Sequence, residues 1–220
     1  GGKAIANFES VADPKAAVRA QLADWPKADL DKLMKRHYEN YWYSNDAETI
    51  VRHAKLVRRA DSEGRPLTTE TSADKFRAVT EFTLYAPDHP GLFARVAGAM
   101  ASAGANIVDA KVFTTNDGMA LDMFFIQDME GAAFDKPDRL KRLNLAIDRA
   151  LSGDLKLRSA IALETPGVPS RARIFKVEPR VLIDNAASNR WTVIEVNGRD
   201  RPGFLYDVTR GLYDANLTIG

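Results

Sequence analysis

An internal duplication constrains this chain more than any other feature. Asp88-His89-Pro90-Gly91-Leu92-Phe93 recurs 112 residues later as Asp200-Arg201-Pro202-Gly203-Phe204-Leu205, and the match runs on through Val96/Val208, Ala103/Ala215 and Ile107/Ile219. Each copy follows an apolar, β-branched or aromatic strand candidate, Val79 to Ala86 and Trp191 to Val196, and each precedes helical periodicity. The repeated unit is strand, Asp-x-Pro-Gly turn, helix, strand. In such a turn Pro sits where a helix needs no N–H, Gly removes a Cβ, and Asp can accept from the free amides. The same geometry serves a plain helix cap or a seat for a carboxylate, and these residues alone leave both open.

Around the first copy, Leu92, Val96, Ala99, Met100 and Ala103 share one side of a helix from Pro90 to Ala103, which Gly104 ends. Asn106 to Thr114 follows as a strand, with Val108, Ala110 and Val112 alternating against Asp109 and Lys111. Thr115-Asn116-Asp117-Gly118 then signals a tight hairpin, and Leu121, Met123 and Phe125 alternate in the returning strand. A second helix is predicted over Pro137 to Leu151, with Leu140, Leu143, Ile147, Ala150 and Leu151 on its apolar face. A Pro-, Gly- and Arg-containing stretch through Arg173 reads as a linker, and Phe175, Val177, Val181 and Ile183 as a last strand that Pro179 pushes to an edge. The order β-α-β-β-α-β is that of the ferredoxin-like sandwich.

Helices are expected upstream. Asp13-Pro14 starts one, and Leu30, Leu33, Met34, His37, Tyr38 and Tyr41 form a stripe along a second from Asp29 to Tyr41. A third begins near Asn45, with Glu48 completing a capping box and Arg52, Lys55, Arg58 and Arg59 on a solvated face. His37 and His53 have no Asp, Glu or second His at ligand spacing, so both read as structural, and the Tyr38, Tyr41, Trp42 and Tyr43 cluster as packing against a neighbour. Asp61 to Asp74 reads as a hinge. The expected fold is α+β: a helical segment (1–67), a ferredoxin-like βαββαβ domain (76–185, with a linker insertion at 153–171), and the truncated start of a second copy (190–220).

Charge balance, 31 Lys plus Arg against 30 Asp plus Glu, gives no reason to expect nucleic acid or an anionic membrane as partner. The absence of Cys excludes disulfides and thiol chemistry and fits a reducing, cytoplasmic setting. The longest apolar stretch, Met119 to Ile126, contains Asp122 and is too short to span a bilayer. A start without Met and an end at Gly220, directly after Leu217-Thr218-Ile219, suggest a piece of something longer.

The turn Asp88-His89-Pro90-Gly91-Leu92 with Gly104-Ala105-Asn106-Ile107 resembles the ACT domain, a small regulatory module that binds amino acids. More narrowly, Arg36-His37-Tyr38, Tyr41-Trp42, Val51-Arg52-His53-Ala54, Phe113-Thr114-Thr115, Val177-Glu178-Pro179 and Thr192-Val193-Ile194-Glu195-Val196 resemble the C-terminal part of the α-proteobacterial bifunctional uridylyltransferase/uridylyl-removing enzymes acting on the PII nitrogen-signalling protein. That resemblance implies a glutamine-sensing portion of a Mg-dependent enzyme, with PII as partner of the whole enzyme. Neither its Gly-Ser…Asp-x-Asp motif nor its His-Asp pair occurs here, so catalytic residues, metal and cofactor are expected outside this chain. The implied ligand residues are Asp88, Gly91 and Leu92 at the turn, Asn106 and Ile107 at the opposing edge, and Asp200, Gly203 and Phe204 as the second half-site. Alternatives are a ligand-free dimerisation module or the sensor of another ACT-bearing enzyme.

Overall fold

The computed structural model describes residues 13–157, 160–161, 180–184, 193–197, 203–217 and 219. Four helices come first: α1 (Pro14–Gln21), α2 (Lys27–Arg36), α3 (Glu39–Ser44) and α4 (Ala47–Glu63). Asp13 caps α1 by accepting from the Lys15 N–H at 3.0 Å. The expected helix from Asp29 to Tyr41 is broken: His37 and Tyr38 are extended, at ψ 144° and 163°. The break lets His37 stack on Tyr41, centroids 4.0 Å apart, while Tyr41 and Trp42 are fully buried. Burying each ring is worth about 2 kcal/mol. Asp46, not Asn45, caps α4 by accepting from Thr49 N–H at 2.8 Å, and Asn45 instead donates to the Tyr41 carbonyl.

The stretch Asp61 to Asp74, expected to be a hinge, is largely regular structure, and the boundary between two compact units falls within it, at Glu70 and Thr71. Helix α4 runs to Glu63, left-handed Gly64 (φ 61°) caps it, and β1 (Thr68–Asp74) follows. Its run of Thr residues carries high β-propensity, and low apolarity hid that from the hydrophobic pattern. Next come β2 (Val79–Pro87), α5 (Leu92–Ser102), β3 (Asn106–Lys111), β4 (Met119–Gln127) and α6 (Pro137–Leu151). The antiparallel sheet has the order β1-β2-β4-β3. Val108 is half-exposed because the β3–β4 register shifts between Ile107 and Asp109, so the expected alternation along β3 fails at a bulge. Strand β4 is buried from Ala120 to Phe124, on both faces, rather than alternately.

The α+β class and the ferredoxin-like arrangement of β2, α5, β3, β4 and α6 are as expected, but the strand completing the sheet is different. The place beside β2 is taken by β1, from upstream. The described part of the expected last strand, β5 (Arg180–Asp184), pairs antiparallel with β6 (Val193–Asn197), from Arg180↔Asn197 to Asp184↔Val193. Helix α7 (Phe204–Asp214) follows, starting 112 residues after α5. At the same offset β5 stands where β1 stands. The duplicated unit is thus a β-hairpin followed by the Pro-Gly turn and helix, and β5 belongs to the second copy. Phe175, Val177, Pro179 and the linker residues 162–173 lie outside the described residues.

Two compact units divide the described chain: residues up to Glu70 with Thr83–Pro87 and Phe113–Asp122, and Thr71–Phe82, Asp88–Val112 and the residues from Met123 onward. In the first, Tyr41, Trp42, Ile50, Leu56, Leu84 and Tyr85 form the core. In the second, α5 packs on α6, β3 and α7, and Phe93 stacks on Phe124 at 5.1 Å. Helix α5 is buried almost all round, as an apolar helix with partners on several sides must be.

Candidate functional site

The glycines of the two Pro-Gly repeats share one backbone conformation. Gly91 has φ 82° and ψ 0°, and Gly203 has φ 77° and ψ 2°. These are the values of the third residue of a type II turn, which excludes a Cβ at little cost only for Gly. Both glycines therefore precede the helix as N-caps instead of lying in its first turn as expected. At the first turn the Leu92 N–H donates to the His89 carbonyl at 3.1 Å, so that amide is already used, contrary to its expected role as a carboxylate donor. Asp88 is exposed beside it. Asp200 lies outside the described residues.

The structure joins the other predicted residues across the repeat. A cleft of about 50 Å³ is lined by Ala101, Ala105, Asn106 and Ile107 of the first copy and by Gly203 and Phe204 of the second, with Tyr206 also at its wall. Gly91 and Leu92 do not line it. Helices α5 and α7 run antiparallel, because the start of α7 meets the end of α5 here while Gly91 at the start of α5 faces Tyr213 near the end of α7. Their close approach rests on Gly98: a Cβ there would come within 2.8 Å of the Tyr206 ring, and Tyr206 is 3% exposed. The small residues at 94, 97, 98 and 101, spaced three and four apart, were the available signal for this helix contact.

Sequence reasoning also missed a charged cluster in the first unit. Arg36, 7% exposed, donates to Asp61 at 2.7 Å and through Nε to Asp117 at 3.1 Å, and also bonds the Tyr85 hydroxyl, which in turn donates to Asp61 at 3.0 Å. Burial works against its charge, but the Asp61 hydrogen bond, Tyr85 and Asp117 together hold the guanidinium above its ordinary value. Burial likewise opposes ionisation of Asp61 and Asp117. At Asp61 the Arg36 contact, helped by Lys32, overrides it, and at Asp117 the Thr115 hydroxyl, helped by Arg36, does so, which keeps both carboxyls below the usual range. Asp117 stands in the β3–β4 hairpin tip, where Thr115, Asn116, Asp117 and left-handed Gly118 (φ 78°) form the turn. Its neighbour Asn116 donates its N–H to the Arg36 carbonyl at 2.9 Å and its side-chain amide to the Lys35 carbonyl, capping the end of α2. Among the described residues there is no group of three or more His, Asp or Glu side chains placed to hold a metal ion. No helix among them is long and apolar enough to cross a membrane.

The first Pro-Gly turn, the helix that follows it and strands β3 and β4 lie within residues 80–133, which match the ACT domain family. Along its whole length the chain is 47% identical over 219 residues to the bifunctional uridylyltransferase/uridylyl-removing enzyme of Rhodospirillum rubrum. It is 50% identical over 206 residues to that of Azospirillum brasilense and 48% over 195 to that of Gluconobacter oxydans. These alignments cover 100%, 93% and 88% of this chain but 23%, 22% and 20% of the relatives. The chain therefore spans less than a quarter of the length of the curated relatives it matches, and is homologous to a segment of those enzymes.

Proposed function

We propose that this chain is the glutamine-sensing, regulatory portion of a cytoplasmic bifunctional enzyme that uridylylates and deuridylylates the PII signalling protein, with its catalytic and magnesium-binding residues elsewhere. The observation that carries this reading is the cleft joining Asn106 and Ile107 of one copy of the repeat to Gly203 and Phe204 of the other, in a chain whose residues 80–133 match the ACT domain and which is similar to uridylyltransferase/uridylyl-removing enzymes. In it, the start of α7 at the Gly203 turn receives the α-carboxylate, which the positive end of a helix favours, and Asn106 supplies a hydrogen bond from the opposite wall. At about 50 Å³ the cleft holds only a few waters, so the ligand must open it. That requirement supplies the switch: a ligand shifts the balance between two arrangements of α5 and α7 only if it binds one of them better.

The test is calorimetry with glutamine on the full-length enzyme. We expect a saturable site that Gly203→Val and Asn106→Ala each weaken at least tenfold without unfolding the protein. Full-strength binding in both variants overturns the assignment. A ligand-free pairing module predicts no glutamine heat at all.

A further inference from the structure

The end of α6 and the neighbouring helices α5 and α7 frame a further pocket, of about 360 Å³, whose charged walls are all cationic. Arg95 of α5, Lys156 of the segment after α6 and Arg210 of α7 line it, together with Leu155, Leu157 and Tyr206. It shares only Tyr206 with the cleft at Gly203, so the two are separate sites. The segment that carries Lys156 is fixed in place. Left-handed Gly153 (φ 85°) follows α6, and the Asp154 and Leu155 N–H groups both donate to the Arg149 carbonyl, at 2.8 and 3.1 Å. Arg210 is held through Nε by Asp214, at 2.9 Å and one turn further along α7. Among the described residues no carboxylate pairs with Arg95 or Lys156.

The repeat itself does not call for these cations. At the 112-residue offset Arg95 corresponds to Asp207 and Arg210 to Gly98, so the helix forms equally with an acid or with no side chain at the matching points. The chain as a whole is balanced, 31 basic residues against 30 acidic. Three cations around one pocket with no acid in its wall repel one another, and an anion between them relieves that repulsion.

We propose that this pocket binds a small phosphate-bearing ligand. Its volume falls within the range of small-molecule sites, about 300–1,000 Å³. The guanidinium forks of Arg95 and Arg210 match paired phosphate oxygens, and Lys156 adds a point charge. A lone carboxylate would answer one of the three cations, whereas a phosphate group with two or more charges answers the set. Leu155 and Leu157 leave an apolar surface for the rest of the molecule. The proposal stands on this pocket and does not rest on glutamine sensing.

Lysine footprinting of the full-length enzyme without added magnesium reads the site directly, whatever phosphate sites the enzyme has elsewhere. Pyrophosphate or ATP is expected to slow acetylation of Lys156 by roughly fivefold, because a neighbouring anion favours the unreactive ammonium form. Exposed Lys141 on α6 serves as the unchanged reference. The double variant Arg95→Gln/Arg210→Gln is expected to abolish the protection, and Arg95→Lys/Arg210→Lys to keep part of it. Arg95 is exposed and the Arg210 side chain is 43% exposed, so both variants keep their core. Protection by either phosphate compound supports the site. Equal labelling of Lys156 with and without both overturns it, as does protection that persists in the double glutamine variant. Protection by a glutamate-rich peptide and by neither phosphate compound also overturns it, and makes the pocket a docking point for an acidic protein segment.

Discussion

Arg36 shows why a single side chain at a helix end cannot be replaced by its chemical neighbour. Its planar fork meets Asp61, Asp117 and the Tyr85 hydroxyl from three nitrogens, and its guanidinium carbon lies 5.3 Å from the Tyr85 ring centre. Lysine offers one point charge and cannot hold this set. We expect Arg36→Lys to cost about 1–2 kcal/mol and Arg36→Ala about 3 kcal/mol in urea unfolding, since the alanine takes the buried guanidinium from Tyr85 and leaves Asp61 only the exposed Lys32. The adjacent residue has the opposite electrostatics. Burial, with Arg36 and His53 nearby, pushes the His37 imidazole down to about 3, so it stays neutral in the fold. Its unfolded form takes up a proton below about 6.5, and acid therefore favours unfolding from there downward. The loss is about 2 kcal/mol between pH 7 and pH 5. Asp61 and Asp117, whose carboxyls are depressed in the fold, contribute stability that begins to fade only below their unfolded value of 3.8. Denaturation at pH 7 and pH 5 separates the groups: His37→Phe keeps a ring to stack on Tyr41 and is expected to flatten that slope.

At the level of elements, helix α5 depends on a residue that intrinsic propensity disfavours. Replacing Gly98 by Ala in an exposed helix would stabilise by about 1 kcal/mol. Here the new methyl would meet the buried Tyr206 ring at 2.8 Å and Leu157 at 3.0 Å, so Gly98→Ala is expected to lower stability by about 1–3 kcal/mol in thermal unfolding. Much at this scale was legible from the chain. Pro137–Leu151 was readable to the residue because Pro, an apolar stripe and a following Gly all agree, and β2, α5 and the Asn116-Asp117 hairpin were set by equally local chemistry. The break at His37 was not legible, because its cause is the stacking and burial of rings that also lie on a helical stripe. Strand β1 was not legible either, since Thr68-Thr69-Glu70-Thr71-Ser72 looks polar and loop-like until it has β2 to pair with. For the cleft, the residue identities at Asn106, Ile107, Gly203 and Phe204 were readable and their meeting was not, because two segments about 100 residues apart come together only through the α5–α7 contact.

For the whole molecule, what matters is which strand closes the first sheet. A sheet closed by β1 contains only residues from Thr68 to Gln127, whereas one closed by the strand ending at Asp184 would have spanned a linker of more than twenty residues and a slow, non-local pairing. The upstream hairpin keeps each copy of the repeat local, so the first copy does not need the second to complete its hydrogen-bond ladder. A chain ending at residue 157 is therefore expected to retain a cooperative transition and slow amide exchange along β2. It loses α7 and with it the burial of Tyr206, about 2–3 kcal/mol. Deleting 65–77 instead strips β2 of its β1 partner and turns it into an edge, so β2 amides facing β1 are expected to exchange orders of magnitude faster, even with β5 and β6 still present. Hydrogen exchange on the two deletions decides the matter. If truncation at 157 exposes β2 and removal of 65–77 does not, the sheet is closed from downstream and the hairpin-first repeat is wrong.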